Sequence, residues 1–282
     1  VRCRRTVIDR FTAAGRRDYA ERGSFAEAMM RQALFGVLIA ITLFGSGPPT
    51  RAETVDLQLI LAADVSRSVD EDEFRLQRDG TAAALTNPRV IKAIQSGPYR
   101  SIAITFIEWS GAEAQHIVAD WTVVRDDETA GVFAAILQSA PRSFAGFTSI
   151  SAAIDFSMKQ FANSGVDSER RTIDVSGDGT NNGGRPVNEA RDEAVAAGVT
   201  INGLAIINQH PNPGYFAHTQ PPGGLGEYYK TNVTGGPGSF VITIEDFDSF
   251  AEAMTNKLVN EIASAAGPRV LAARYGNPRT LD

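Results

Sequence analysis

The strongest constraint on this chain is an alternation that runs from Asp56 to Ala263. Short runs rich in β-branched and aromatic residues take turns with longer stretches of helical spacing. Strands are expected at Asp56–Ala63, Ser101–Trp109, Gln115–Val124, Arg171–Ser176, Thr200–Ile207 and Phe240–Ile244. Helices are expected at Glu71–Leu85, Thr129–Ser139, Ser149–Ala162, Val187–Ala197 and Asp246–Ala263. Strands joined through helices pair in parallel, and the helices then cover both faces of the sheet. The expected fold is therefore α/β, a doubly wound and mostly parallel central sheet, in one domain over residues 53–266. No internal repeat is visible.

Two stretches break the pattern. Gly267–Asp282 carries two prolines and few apolar residues, and is expected to be a flexible tail. Asn208–Gly238 is 31 residues dense in Pro and Gly, which is long for a connection inside a compact domain. Tyr215, Phe216, Tyr228 and Tyr229 give it anchors, so it is expected to be ordered.

The first fifty residues read differently. Residues 33–44 (ALFGVLIAITLF) form an apolar run of 12. A helix that spans a bilayer needs about 20 such residues, whereas this length matches the apolar region of a signal peptide. Arg31 precedes it, Gly45–Pro49 break it, and Ala52 offers a small residue for cleavage. Met29 or Met30 would start a signal peptide over residues 29–52, which leaves residues 1–28 as an upstream extension from a misplaced start. No Cys follows the run, so a lipoprotein anchor is excluded. Export to the periplasm or beyond is the expectation, with no membrane span in the mature chain.

Charge and cysteine usage exclude two function classes. Residues 1–52 hold nine Arg and four acidic groups, so the chain from Glu53 onward carries about −11. A surface this acidic repels phosphate backbones and argues against nucleic acid as a partner. Cys3 is the one cysteine, so the body of the protein has no disulfide framework and no thiolate metal chemistry.

The most informative motif is Asp64-Val65-Ser66-Arg67-Ser68, where the first strand ends and a helix begins. Alternation puts Asp64, Ser66 and Ser68 on one side of an extended turn. One carboxylate and two hydroxyls there make an oxygen-only pocket suited to Mg²⁺ or Mn²⁺ before Ca²⁺. Ligands of open parallel sheets bind beyond the carboxyl ends of the strands, where this motif lies. Asp64 is expected at a solvent-facing strand end.

In these residues the chain resembles the von Willebrand factor A domain with its metal-ion-dependent adhesion site. That family's pattern needs Asp-x-Ser-x-Ser on a first loop, a Thr on a second and an Asp on a third. Gly146-Phe147-Thr148-Ser149 and Ser176-Gly177-Asp178-Gly179 follow in the required order and context. The resemblance implies Asp64, Ser66, Ser68, Thr148 and Asp178 as the ligand set. The stretches FIEWSG (106–111), GDGTNN (177–182) and NVTGGPGSFV (232–241) look like a bacterial branch of exported A-domain proteins. That likeness implies a fold and a metal, but no activity.

Local structure offers each residue another role. Asp64, Ser66 or Ser68 can cap the helix that follows, and Thr148 can cap the helix starting at Ser149. Asp178-Gly179 can be a plain turn. Trp109 and Glu108 end a strand near the site, with Trp109 expected in the core. Other motifs are decoys. Asp178–Glu189 (DGTNNGGRPVNE) approaches a calcium-loop pattern, but Thr180 breaks it and a strand, not a helix, leads in. Asp174 stands where a nucleophile elbow around Ser176 would need Gly. No phosphate loop or zinc helix occurs, and His116, His210 and His218 are scattered.

The favoured function is a binding module in which the bound cation captures an acidic group on a protein partner. A metal-dependent hydrolase of the cell envelope is the rival, although no His accompanies the three ligand loops. A structural subunit of an envelope assembly is the third reading. The Asn208–Gly238 loop begins at the end of a parallel strand, so it is expected to pack beside the metal face as a partial lid. An exposed aromatic patch on it would favour the partner-binding readings.

Overall fold

The computed structural model describes residues 52–207, 221–245, 249–263 and 274–275. The chain divides into two units, Val1–Arg51 and Ala52–Asp282. The upstream extension and almost all of the signal peptide expected over residues 29–52 lie outside the described residues, as do Tyr215 and Phe216.

In chain order the elements are β1 (Glu53–Thr54), β2 (Gln58–Asp64), α1 (Glu71–Leu85), α2 (Pro88–Gln95), β3 (Ile102–Trp109), β4 (Gln115–Val124), α3 (Asp127–Ser139) and α4 (Ile150–Gln160). There follow β5 (Val166–Asp167), β6 (Arg171–Gly177), α5 (Val187–Ala196), β7 (Thr200–Ile206), α6 (Leu225–Tyr228), β8 (Val241–Ile244), α7 (Phe250–Ala263) and β9 (Arg274–Tyr275). The main sheet has the order β4-β3-β2-β6-β7-β8-β9. Only β4 runs antiparallel, against β3. A separate parallel pair joins β1 to β5.

Period-two alternation divides the core between the two faces of the sheet. On β2, Leu59, Leu61 and Ala63 enter one apolar cluster with residues of α1, α2, α3 and α7. Ile60 and Ala62 enter the other, with residues of α4, α5 and the segment Leu225–Val233. Helix starts follow local chemistry. Asp70 accepts from the Asp72 and Glu73 amides, and Glu73 accepts from the Asp70 amide, which closes a capping box on α1. Asn87 caps α2 with Pro88 in its first turn.

Strand order places the site. From β2 the chain moves outward to β3 on one side, and from β6 outward to β7 and β8 on the other. The order reverses between β2 and β6, so a crevice opens at their carboxyl ends.

The sequence alternation does not mark α2, the β1–β5 pair or the helical segment from Leu225. That last segment falls inside the stretch read as one long loop. Consecutive Gly223 and Gly224, with φ of 83° and 86°, turn the chain into α6, a left-handed backbone that favours glycine. Of the expected tail, Arg274–Tyr275 pairs in parallel with β8, and the rest lies outside the described residues. Among the described residues no helix is long and apolar enough to cross a membrane.

Candidate functional site

Three loops meet at the carboxyl ends of β2 and β6. The first, after Asp64, is held by its backbone. The Val65 amide donates to the Trp109 carbonyl (2.9 Å), the Arg67 amide to Gly146 (3.0 Å) and the Val69 amide to Ser66 (3.1 Å). Arg142 Nη2 donates to the carbonyls of Val65 (2.8 Å), Ser66 (3.0 Å) and Val69 (2.9 Å), filling the inside of the turn. Arg142 is itself placed through its neighbour, because the Ser143 amide donates to Glu108 Oε2 (2.9 Å). The other oxygen of that fully buried carboxylate takes Arg78 Nε at 2.9 Å.

The second and third loops brace each other. The Thr148 amide donates to Asn182 Oδ1 (2.9 Å), and the Asn182 amide returns to the Thr148 carbonyl (2.8 Å). The Ser151 amide donates to Asn181 Oδ1 (3.0 Å) and Ser149 Oγ to the Gly183 carbonyl (3.0 Å).

These braces bring all five expected residues together. Thr148 Oγ1 donates to Ser66 Oγ at 3.3 Å, and the Ser66 and Ser68 hydroxyls lie 3.1 Å apart. Ser68 Oγ donates to Asp178 Oδ1 at 2.7 Å. Asp64 Oδ1 accepts from the Ser66 amide at 2.7 Å. The capping alternatives fall away, since α1 is capped by Asp70 and α4 by Ser149. Asp178 is more than a turn residue, because its carboxylate closes the row of hydroxyls.

Asp64 is not solvent-facing as expected: its relative exposure is 0%. It lies on the same face of the sheet as Ile60 and Ala62, beneath Tyr229. Burial, and next the neighbouring Asp178, push the Asp64 carboxyl well above its usual range against the pull of the Ser66 hydrogen bonds. Asp64 Oδ2 is buried with no hydrogen-bond partner. A buried carboxylate with an unsatisfied oxygen, next to a second carboxylate, is a costly arrangement unless positive charge joins it. The donors are all oxygen, which fits a hard divalent cation.

Other residues near the site carried weak sequence signals. In sequence Tyr229 is only a loop anchor. Its ring is fully buried and its hydroxyl has no hydrogen-bond partner. The described part of its loop does pack beside the site: Tyr228 Oη accepts from the Asn181 amide at 3.1 Å. Tyr229 is buried rather than displayed, however, and the exposed aromatic ring beside the site is Phe147, at 75%. Arg67, between the two serines, is also exposed. Trp109 is core, fully buried as expected.

No curated protein matches the sequence. Solved structures do share the fold. Proximal thread matrix protein 1 from the mussel byssus, with a zinc-occupied MIDAS motif, matches with a TM-score of 0.52 at 14% identity, over 76% of this chain and 50% of its own. A von Willebrand factor type A structure from Catenulispora acidiphila gives 0.51 at 12%, over 74% and 43%. The pilus adhesin SpaC from Lactobacillus rhamnosus GG gives 0.51 at 12%, over 75% and 31%. The chain thus spans half or less of these proteins, and what they share with it is the von Willebrand factor A fold. Residues 54–266 match the family described as "Protein of unknown function (DUF1194)", and the chain belongs to that family.

Proposed function

We propose that Asp64, Ser66, Ser68, Thr148 and Asp178 hold one Mg²⁺ or Mn²⁺, and that the domain uses it to capture an acidic group on a protein partner. The observation that carries this reading is Asp64 Oδ2, buried and unsatisfied beside three hydroxyls and a second carboxylate. The zinc-occupied motif of the mussel protein supports a divalent ion in this fold. When bound, the cation supplies an open coordination position that a partner's carboxylate completes.

The surface around the site suits such a partner. Arg67 is exposed and has no ion-pair partner among the described residues, so it adds positive potential beside the ligands. Phe147, next to Thr148, offers an apolar contact at the same edge. A carboxylate followed by an apolar side chain fits both. The five ligand side chains are committed to the ion, which leaves none of them as a general base and favours binding over hydrolysis.

Export belongs to the same reading. Residues 29–52 serve as a signal peptide, residues 1–28 precede it, and the domain at 53–266 works in the periplasm or outside the cell. The adhesin and matrix protein with this fold support a role in protein attachment.

The test is binding of the 53–282 protein to immobilised peptides carrying Asp or Glu, against matched Asn or Gln peptides, in Mg²⁺ and in chelator. Retention of acidic peptides in Mg²⁺ alone, lost in Asp64→Ala, is expected. Equal retention in chelator contradicts the role given to the ion.

A further inference from the structure

Over Asp64 the site is closed by Tyr229. Its residue opens a π-helical turn, Tyr229–Val233, a rare geometry that recurs at functional sites. Two strand glycines admit the ring. A Cβ on Gly203 of β7 would lie 2.8 Å from Tyr229 Cδ1. A Cβ on Gly177 of β6 would lie 2.7 Å from the Tyr229 hydroxyl and 3.0 Å from Asp64 Oδ2. The phenol oxygen and the unsatisfied carboxylate oxygen thus face each other across the bare backbone of Gly177. Both are buried, and neither has a hydrogen-bond partner. A tyrosine kept only for packing would not need its hydroxyl there, since Phe fills the same space without burying an unsatisfied polar atom.

We infer that Tyr229 is a positioning residue of the cation site, its hydroxyl donating to the Asp64 carboxylate through one water. A phenol carries its proton at neutral pH and is able to donate. Tyr228, edge-on to Tyr229 with ring centroids 6.3 Å apart, pins the segment to the third loop through Asn181. The role rests on the cation reading given above and adds a residue outside the five ligands. Outer partners of metal ligands govern affinity by orienting them.

Calorimetric titration of the 53–282 protein with Mg²⁺ compares wild type, Tyr229→Phe and Asp64→Ala. Tyr229→Phe keeps the ring and is expected to weaken binding about ten- to hundredfold, with its unfolding temperature in chelator unchanged or higher. The wild type should also show a near-ultraviolet tyrosine difference spectrum on adding Mg²⁺, retained when the exposed Tyr99 is replaced (Tyr99→Phe) and lost in Tyr229→Phe. Wild-type affinity in Tyr229→Phe, or no tyrosine difference in a wild type that binds the ion, overturns the inference and leaves the cation reading standing. A wild type that binds no Mg²⁺ defeats both.

Discussion

Ser68 Oγ donates to Asp178 Oδ1 across 2.7 Å, tying the loop after β2 to the loop after β6 at the point where the strand order reverses. Each strand alone delivers one carboxylate, and the hydroxyl between them fixes their spacing. Ser68→Ala should cost about 1–2 kcal/mol of stability in chelator, the worth of a hydrogen bond to a charged group at a partly wet site. It should also weaken Mg²⁺ binding about tenfold or more. Urea denaturation and calorimetry measure the two effects, and unchanged affinity removes Ser68 from the ligand set.

Arg142 shapes the first loop by giving one guanidinium nitrogen to three carbonyls. Lysine keeps the charge but not the planar fork. Arg142→Lys should lose about 1–3 kcal/mol and loosen the loop, seen as faster amide exchange at Ser66 and Arg67. Exchange as slow as in wild type would show that the other backbone bonds suffice.

A second buried polar cluster lies under the sheet, away from the site. Lys257 Nζ reaches Asp174 Oδ1 at 2.8 Å and Glu261 Oε1 at 2.6 Å, all three side chains being buried. Burial alone would lower the ammonium, but the two carboxylates outweigh it and hold Lys257 above its usual value. Lys257→Met leaves two carboxylates unpaired and should cost about 3–5 kcal/mol. Adding Asp174→Asn should recover part of that loss, and denaturant unfolding measures both.

Asp174 also sets a pH dependence. Burial, then Glu261, raises its carboxyl to about 7 against the pull of Lys257. The folded state therefore holds a proton that the unfolded chain has released, in the window between the ordinary carboxylate value of 3.8 and about 7. This group's contribution is most favourable at the acid end and falls as pH rises through that window. Wild type should lose stability relative to Asp174→Asn between the two ends of it, by urea denaturation. A constant difference contradicts the shift.

Most of the fold was legible because its strands carry dense β-branched runs and its helices a regular apolar spacing. Asp64, Ser66 and Ser68 were legible because a short loop motif fixes both donor type and spacing, whereas Thr148 and Asp178 were implied only by the resemblance to the von Willebrand factor A pattern. What escaped had no such local signature. The helix α2 is marked only by Asn87-Pro88, a weak cap signal before a run of eight residues. Arg142 acts through backbone carbonyls 73 to 77 positions away, which no local pattern records. Tyr229 sits in a stretch whose glycines and prolines read as loop, and its place depends on Gly177 and Gly203, whose missing side chains tell nothing in sequence. The burial of Asp64 likewise follows from what packs over the strand end, not from the strand itself.

The most direct test is calorimetric titration of the 53–282 protein with Mg²⁺ and with Mn²⁺, wild type against Asp64→Ala. Asp64 accepts from the Ser66 amide with one oxygen and offers its other oxygen to the ion, so its removal should spare the fold and abolish binding. One saturable site is expected in wild type and none in a folded Asp64→Ala. Equal binding by both proteins, or none by wild type, would contradict the cation reading.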